Sequence, residues 1–211
     1  MAPQLPTADR PVNTRTRPIG RAASFAAAAL AAFALAACDD TPKDPKSPPK
    51  EVKVKIADKT FTLELAMDAQ TRFKGLSGRT EIPADRGMLF VFPDAQVTRQ
   101  EFVMRDCPVD IDIIYLDGSM RITAWHEMKP EPPRADDEKK LSPPTDQFGR
   151  PIPNAPEWTW TNEKYEQRLK RYPSKFSAQY VIELKGGVAK PLNLKEGQKI
   201  EIDPGLKKLA K

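Results

Sequence analysis

Apolar and polar positions alternate over residues 51–56, where Val52, Val54 and Ile56 flank Lys53 and Lys55. Residues two apart share one face of a strand, so the pattern predicts a half-buried strand. Phe61, Leu63 and Leu65 alternate with Thr62 and Glu64 in the same way. Asp58-Lys59 between the two runs predicts a hairpin turn. Residues 67–74 predict a short helix, with Asp68 near its start and Gly75 at its end. Residues 87–92 (GMLFVF) are short and apolar throughout, which predicts a buried strand. Residues 100–104, 111–116, 120–125, 180–184 and 199–202 predict further strands. Asp117-Gly118 reads as a hairpin turn, and Gly186-Gly187 and Gly197 separate the last two strands. Short strands and little helix predict one mainly β (β-rich α+β) domain over residues 51–203, barrel- or sandwich-like, with one or two short helices.

The N-terminus follows a different pattern. Residues 22–37 carry no charge and are mostly alanine, with Phe25, Leu30, Phe33 and Leu35; Arg10, Arg15, Arg17 and Arg21 precede them. This is the layout of a secretory signal, residues 1–37. Sixteen residues span about 24 Å as a helix, too little for a hydrocarbon core of about 30 Å. Leu35-Ala36-Ala37-Cys38 resembles the lipobox of bacterial lipoproteins. The resemblance implies a diacylglycerol on the Cys38 thiol, cleavage just before it and acylation of the new amino terminus, a stable membrane anchor. The alternative is an ordinary signal cut after an A-x-A site, with Cys38 a free thiol. Asp39 resembles an inner-membrane retention signal of enterobacterial lipoproteins, which favours the periplasmic face of the inner membrane. Residues 38–50, rich in proline and charge, predict a disordered tether. Residues 204–211 read as a basic tail.

The chain has 34 basic and 29 acidic residues, net +5. Residues 1–37 hold four of the arginines and Asp9, so the chain from Cys38 onward is net +2. A surface so nearly balanced gives no electrostatic case for nucleic acid. With Cys38 lipidated, Cys107 has no partner for an internal disulfide, and the fold rests on its core. Cys107 reads as a small buried apolar residue or, alternatively, as a redox thiol.

From about residue 130 to 176 prolines recur, at 130, 132, 133, 143, 144, 151, 153, 156 and 173. This excludes a regular ladder and predicts an irregular insertion. Inside it, Trp158-Thr159-Trp160 precedes residues 161–171, a predicted short helix carrying Lys164, Arg168, Lys170 and Arg171 with Tyr165 and Leu169. One reading makes Trp158, Trp160 and Tyr165 an exposed surface for an envelope glycan or protein. The other folds the tryptophans back onto the β core, where large aromatics usually bury most of their area.

Four segments in order resemble the bacterial and archaeal DUF192 (UPF0127) family. They are Gly75-Leu76-Ser77-Gly78-Arg79, Gly87–Phe92, Phe102–Cys107 leading to Asp112-Ile113-Ile114, and Tyr180–Leu184. The resemblance runs from about Val52 to Ile202, outside the proline-rich stretch. It implies a compact, mainly β domain of unknown biochemical function. This chain departs from the family's usual Trp-Met-(Lys/Arg)-Asn-Thr at Val103–Cys107, from Pro-Leu-Asp at Asp110-Ile111-Asp112, and from a methionine at Ser77. Asp106 thus replaces a neutral amide donor with an acceptor, which would change a ligand bound there.

The polar residues within these segments are Arg79, Arg105, Asp106, Asp112 and Glu183, and they form the expected ligand site. Asp110 and Asp112, two apart, would share a strand face. Paired carboxylates could supply a general acid and base, as in glycoside hydrolysis. With arginines nearby they could instead bind a polar ligand, or Asp112 could bond turn amides in an Arg–Asp closure of the barrel end. His126 is the only histidine, so a zinc site is unfavoured and no metal or other cofactor is expected. No phosphate loop or nucleophile elbow is present. The resulting expectation is a membrane-anchored envelope lipoprotein that binds rather than catalyses. The alternative is a carboxylate-dependent hydrolase or lyase of envelope polysaccharide, in which Asp112 and Glu183 converge in a cleft.

Overall fold

The predicted first hairpin forms. Strands β1 (Glu51–Ile56) and β2 (Lys59–Ala66) pair antiparallel, with Ile56 opposite Lys59. The turn sits one residue early, at Ala57-Asp58, because Ala57 takes the left-handed φ of 54°. Helix α1 (Ala69–Lys74) then carries the chain across to β3 (Arg86–Val91), which runs parallel to β2. Asp68 caps α1, its Oδ1 accepting the Thr71 N–H at 2.8 Å. The remaining strands are β4 (Thr98–Phe102), β5 (Ile111–Leu116), β6 (Ile122–Met128), β7 (Tyr172–Ala178) and β8 (Tyr180–Lys185). Helices α2 (Glu163–Arg168) and α3 (Gly205–Leu209) are short.

This is a computed structural model, and it describes residues 49–203 and 205–209. The expected signal peptide over 1–37, the lipidation site Cys38, Asp39 and most of the tether lie outside the described residues. Among the described residues, no helix is long and apolar enough to cross a membrane.

The fold is mainly β, with a six-stranded sheet in the order β1-β2-β3-β8-β5-β6 and a two-stranded sheet of β4 and β7. The large sheet is open, so the barrel alternative does not hold. Residues 199–202 make only isolated bridges, Lys55 to Glu201 and Arg121 to Lys199, in place of the expected last strand. Nor is the C-terminus only a basic tail, since Leu206 on α3 is buried in the core.

Both faces of the large sheet are covered. Leu89, Ile114, Ile182 and Leu184 point to one face, where Leu192, Leu194 and Ile200 from the C-terminal segment pack on them. Phe90, Ile113, Tyr115 and Val181 point to the other, beneath Leu76, Met104, Cys107 and Tyr172. This double coverage is why β3, β5 and β8 read as continuous apolar runs. In the small sheet, Phe102 lies opposite Tyr172 and Glu101 opposite Pro173. Proline is tolerated there because β7 has a ladder neighbour on one side only. The irregular insertion therefore ends at Arg171, before the expected boundary at 176.

Gly87 fixes the approach of β3 to β8. A Cβ built on it would lie 2.1 Å from the Glu183 carbonyl oxygen, far inside van der Waals contact. Gly87→Ala must push the two strands apart, and we expect it to cost about 2 kcal/mol or more in chemical denaturation. An unchanged denaturation midpoint would contradict this account of the sheet.

Candidate functional site

The site is built on the second face of the sheet, between β3, β8 and the end of α1. Gly75 ends α1 with φ 51°, and the chain turns down so that Leu76 packs into the core. Ser77 Oγ donates to the Arg105 carbonyl at 2.7 Å. The Gly78 N–H donates to the Asp106 carbonyl at 2.8 Å. These bonds tie the turn after α1 to the loop after β4. Between them and the sheet lies a cavity of about 350 Å³. Its walls are about equally apolar and polar, with Phe73, Phe90, Phe92, Phe102 and Met104 among the apolar lining side chains. Exposed Lys74, Gln96, Glu101 and Arg171 stand at its mouth.

Glu183 lines the inner end of this cavity and is only 5% exposed. Burial pushes its carboxyl up to about 8, against a smaller opposing effect from the Leu76 N–H that bonds it and from the charge of Arg79. The group is therefore mostly protonated at neutral pH. Its Oε2 has no hydrogen-bond partner among the protein's groups. A Cβ on Gly75 would stand 3.4 Å from that oxygen and 3.3 Å from the Phe90 ring, so the glycine leaves room over the carboxyl.

Of the five residues expected to form a site, two line the cavity, Glu183 and Arg105. Arg105 is held bidentate by Glu166, with Nη2 at 2.7 Å, and its guanidinium stacks 4.4 Å from the Phe73 ring centre. Arg79 instead pairs bidentate with Glu64, both bonds 2.7 Å. Asp106 is taken by Arg134 of the insertion, again through two 2.7 Å bonds. Asp106 also has φ 49°, a conformation that asparagine and aspartate adopt more readily than other side chains. An aspartate thus keeps the turn that an asparagine would, and its carboxylate gains an arginine.

Asp112 is fully buried on the opposite face. It lies across from Leu184, whereas Glu183 lies across from Ile113. Its Oδ2 accepts the Ala189 N–H at 2.6 Å, which holds the C-terminal segment to the sheet. The turn-amide role expected for Asp112 is thus what its geometry serves, without an arginine partner. The expected convergence of Asp112 and Glu183 is overturned, because the whole sheet separates them. Asp110 does not rescue a carboxylate pair, being exposed and paired with Lys129. The hydrolase or lyase reading loses its two acids.

The insertion braces this site. Tyr165 is 2% exposed, with the Arg134 guanidinium 3.8 Å from its ring centre and that of Arg168 4.7 Å away. Its hydroxyl accepts the Asp106 N–H at 2.9 Å. Tyr165 is therefore no part of an exposed aromatic surface. Trp158 and Trp160 are half-buried, and Trp158 meets Phe73 edge-on at 5.6 Å. Arg168 binds Glu138, whose carboxylate that guanidinium holds down to about 2.

Cys107 lines the cavity at 6% exposure. Burial pushes its thiol up, which suppresses the thiolate that redox chemistry requires. His126 on β6 binds the Pro173 carbonyl of β7 at 2.8 Å. Among the described residues, no three His, Cys, Asp or Glu side chains are grouped to hold a metal. Arg171, expected on the insertion helix, lies beyond its end at Arg168, and the cavity's Arg72, Lys74 and phenylalanines carry no sequence signal of their own. Nothing in their local pattern distinguishes them from surface charge and core.

Residues 52–147 match the DUF192 family model. The family is described as Uncharacterized ACR, COG1430. The DUF192 match begins where the resemblance begins and ends inside the insertion, so β8 and Glu183 lie beyond it. No curated protein matches the chain. Two solved structures are similar to it. One is from Sinorhizobium meliloti 1021, proposed as a transcription regulator, with 22% identity and a TM-score of 0.49, covering 74% of this chain and 95% of that one. The other is a protein of unknown function from Novosphingobium aromaticivorans DSM 12444, with 22% identity and a TM-score of 0.46, covering 72% of this chain and 83% of that one.

The Glu183 carboxyl makes a pH prediction. A raised folded value means its contribution to stability is fully present below about 4.5 and is lost as the pH rises through about 8. Glu183→Gln keeps the shape and removes the titration. Wild-type thermal stability should therefore fall relative to the variant across that window. A difference independent of pH would show that Glu183 is not held protonated.

Proposed function

We propose that this protein is a membrane-anchored envelope lipoprotein whose β domain binds a small ligand in the cavity over Glu183. One observation carries the binding reading: Glu183 Oε2 is buried, has no partner among the protein's own groups, and lies at the inner end of a cavity walled there by aromatic side chains. Leaving such a group unsatisfied costs about 1–3 kcal/mol. A ligand oxygen would remove that cost. The cavity volume of about 350 Å³ falls at the lower end of ligand pockets, which run from about 300 to 1,000 Å³. Binding is favoured over catalysis because no second acid stands beside Glu183: Arg79, whose charge acts on it, is held by Glu64, and the Cys107 thiol and Tyr115 hydroxyl are kept neutral by burial.

The anchoring reading rests on the N-terminal sequence. A lipid on Cys38 and a proline-rich tether would hold the domain at the membrane, and Asp39 favours the periplasmic face of the inner membrane. Trp158 and Trp160 offer a half-exposed surface for an envelope glycan or protein beside the same site.

Fragment soaking of crystals tests the first part. We expect a fragment oxygen within about 3 Å of Glu183 Oε2, absent in Glu183→Leu; a cavity that stays empty throughout would count against it. Labelled palmitate tests the second. It should enter the wild type and not Cys38→Ser, while unlabelled, full-length, unprocessed wild type would overturn the anchor.

A further inference from the structure

The two ends of the cavity differ in chemistry. The inner end presents a carboxyl oxygen that lacks a partner and is nine-tenths buried. The middle is aromatic, with four phenylalanines among the lining side chains. The outer end is cationic. Arg72 bonds only neutral acceptors there: the Met67 carbonyl, the Val91 carbonyl at 3.2 Å and the Gln96 amide oxygen at 3.1 Å. Lys74 makes no ion pair among the described residues, and neither does Arg171, which gives one bond to the Glu166 carbonyl. Against these three charges the lining sets one carboxylate, Glu101, and the Asp68 carboxylate outside the cavity acts on Arg72; the fourth cation, Arg105, is already paired with Glu166. A bound neutral or cationic molecule would leave this excess unanswered.

We propose that the cavity takes a small organic anion with a ring-sized apolar body and, opposite its charge, a hydroxyl or carbonyl oxygen that meets Glu183. The inference rests on the binding role proposed above and adds the class of ligand. The anionic group lies at the mouth, where Lys74 and Arg171 are free to close on it. Arg72 adds charge without moving, because its bonds to the main chain hold it in place. The ring stacks among the phenylalanines, where edge and face contacts add to the area buried. The inner oxygen satisfies Glu183, which as a neutral acid can donate to it.

Titration calorimetry on the full chain, with NMR of the Met104 methyl as a reporter of the cavity, tests this with four probes. They are 4-hydroxybenzoate, benzoate, 4-hydroxybenzyl alcohol and 4-hydroxybenzylamine. We expect 4-hydroxybenzoate to bind best. Benzoate, without the inner oxygen, and the alcohol, without the charge, should each be weaker by about tenfold. The amine should be weakest. Lys74→Gln with Arg171→Gln, both on exposed side chains, should cut 4-hydroxybenzoate affinity about tenfold and leave the alcohol unchanged. Equal binding of all four probes, or preference for the amine, overturns the anion class and leaves a binding cavity standing. A Met104 methyl that no probe shifts overturns both.

Discussion

Glu183 is a carboxyl buried from bulk solvent, for which the protein supplies one hydrogen bond, from the Leu76 N–H. Every nearby element is arranged around that fact. Gly87 lets β3 approach the Glu183 backbone closely, and Gly75 clears the space above its side chain. Phe90 and Met104 line the space beside it. Burying an ionised carboxylate is costly, and the charge of Arg79 only partly offsets that cost, so the group is pushed toward its neutral form. The cavity is the same constraint seen from outside, a space that keeps one polar atom from being packed over by apolar side chains.

The insertion explains how a small domain can hold such a space open. Its contacts with the site are charge-assisted and planar: Arg105 on Glu166, Arg134 on Asp106, and two guanidiniums against Tyr165. Isolated pairs at this exposure are worth about 0–1 kcal/mol each. Here they share side chains and a buried tyrosine, so ordering one partner orders the next. The loops on both sides of the cavity mouth are therefore pinned from the insertion side rather than by the sheet alone.

Much of the fold was legible because local pattern dictated it. The alternation at Val52–Ile56 and Phe61–Leu65 gave the first hairpin, Asp68 and Gly75 bracketed α1, and the GMLFVF run marked a strand covered on both sides. What local pattern could not carry was pairing between distant segments. The parallel β2–β3 neighbours are separated by a six-residue helix and a long irregular loop, and Pro173 looked like a strand breaker until its strand proved to lack a neighbour on one side. The site divided in the same way. Glu183 stood out as an acid inside an apolar run. That Asp112 faces away from it is decided by the β5–β8 register, which alternation within either strand leaves open. Arg79 and Asp106 found partners 15 and 28 residues away, and such partners leave no trace in local sequence.

The strand order carries a consequence for how the molecule comes into being. β8 is the last strand in the chain yet sits between β3 and β5, near the middle of the sheet. Until residues 180–185 are available, β3 and β5 each expose an open ladder edge and the apolar faces remain uncovered. A nascent or truncated chain ending inside the insertion would be two sticky fragments rather than a smaller version of the domain. Closure of the sheet must wait for β8, and pairings this distant in sequence form slowly.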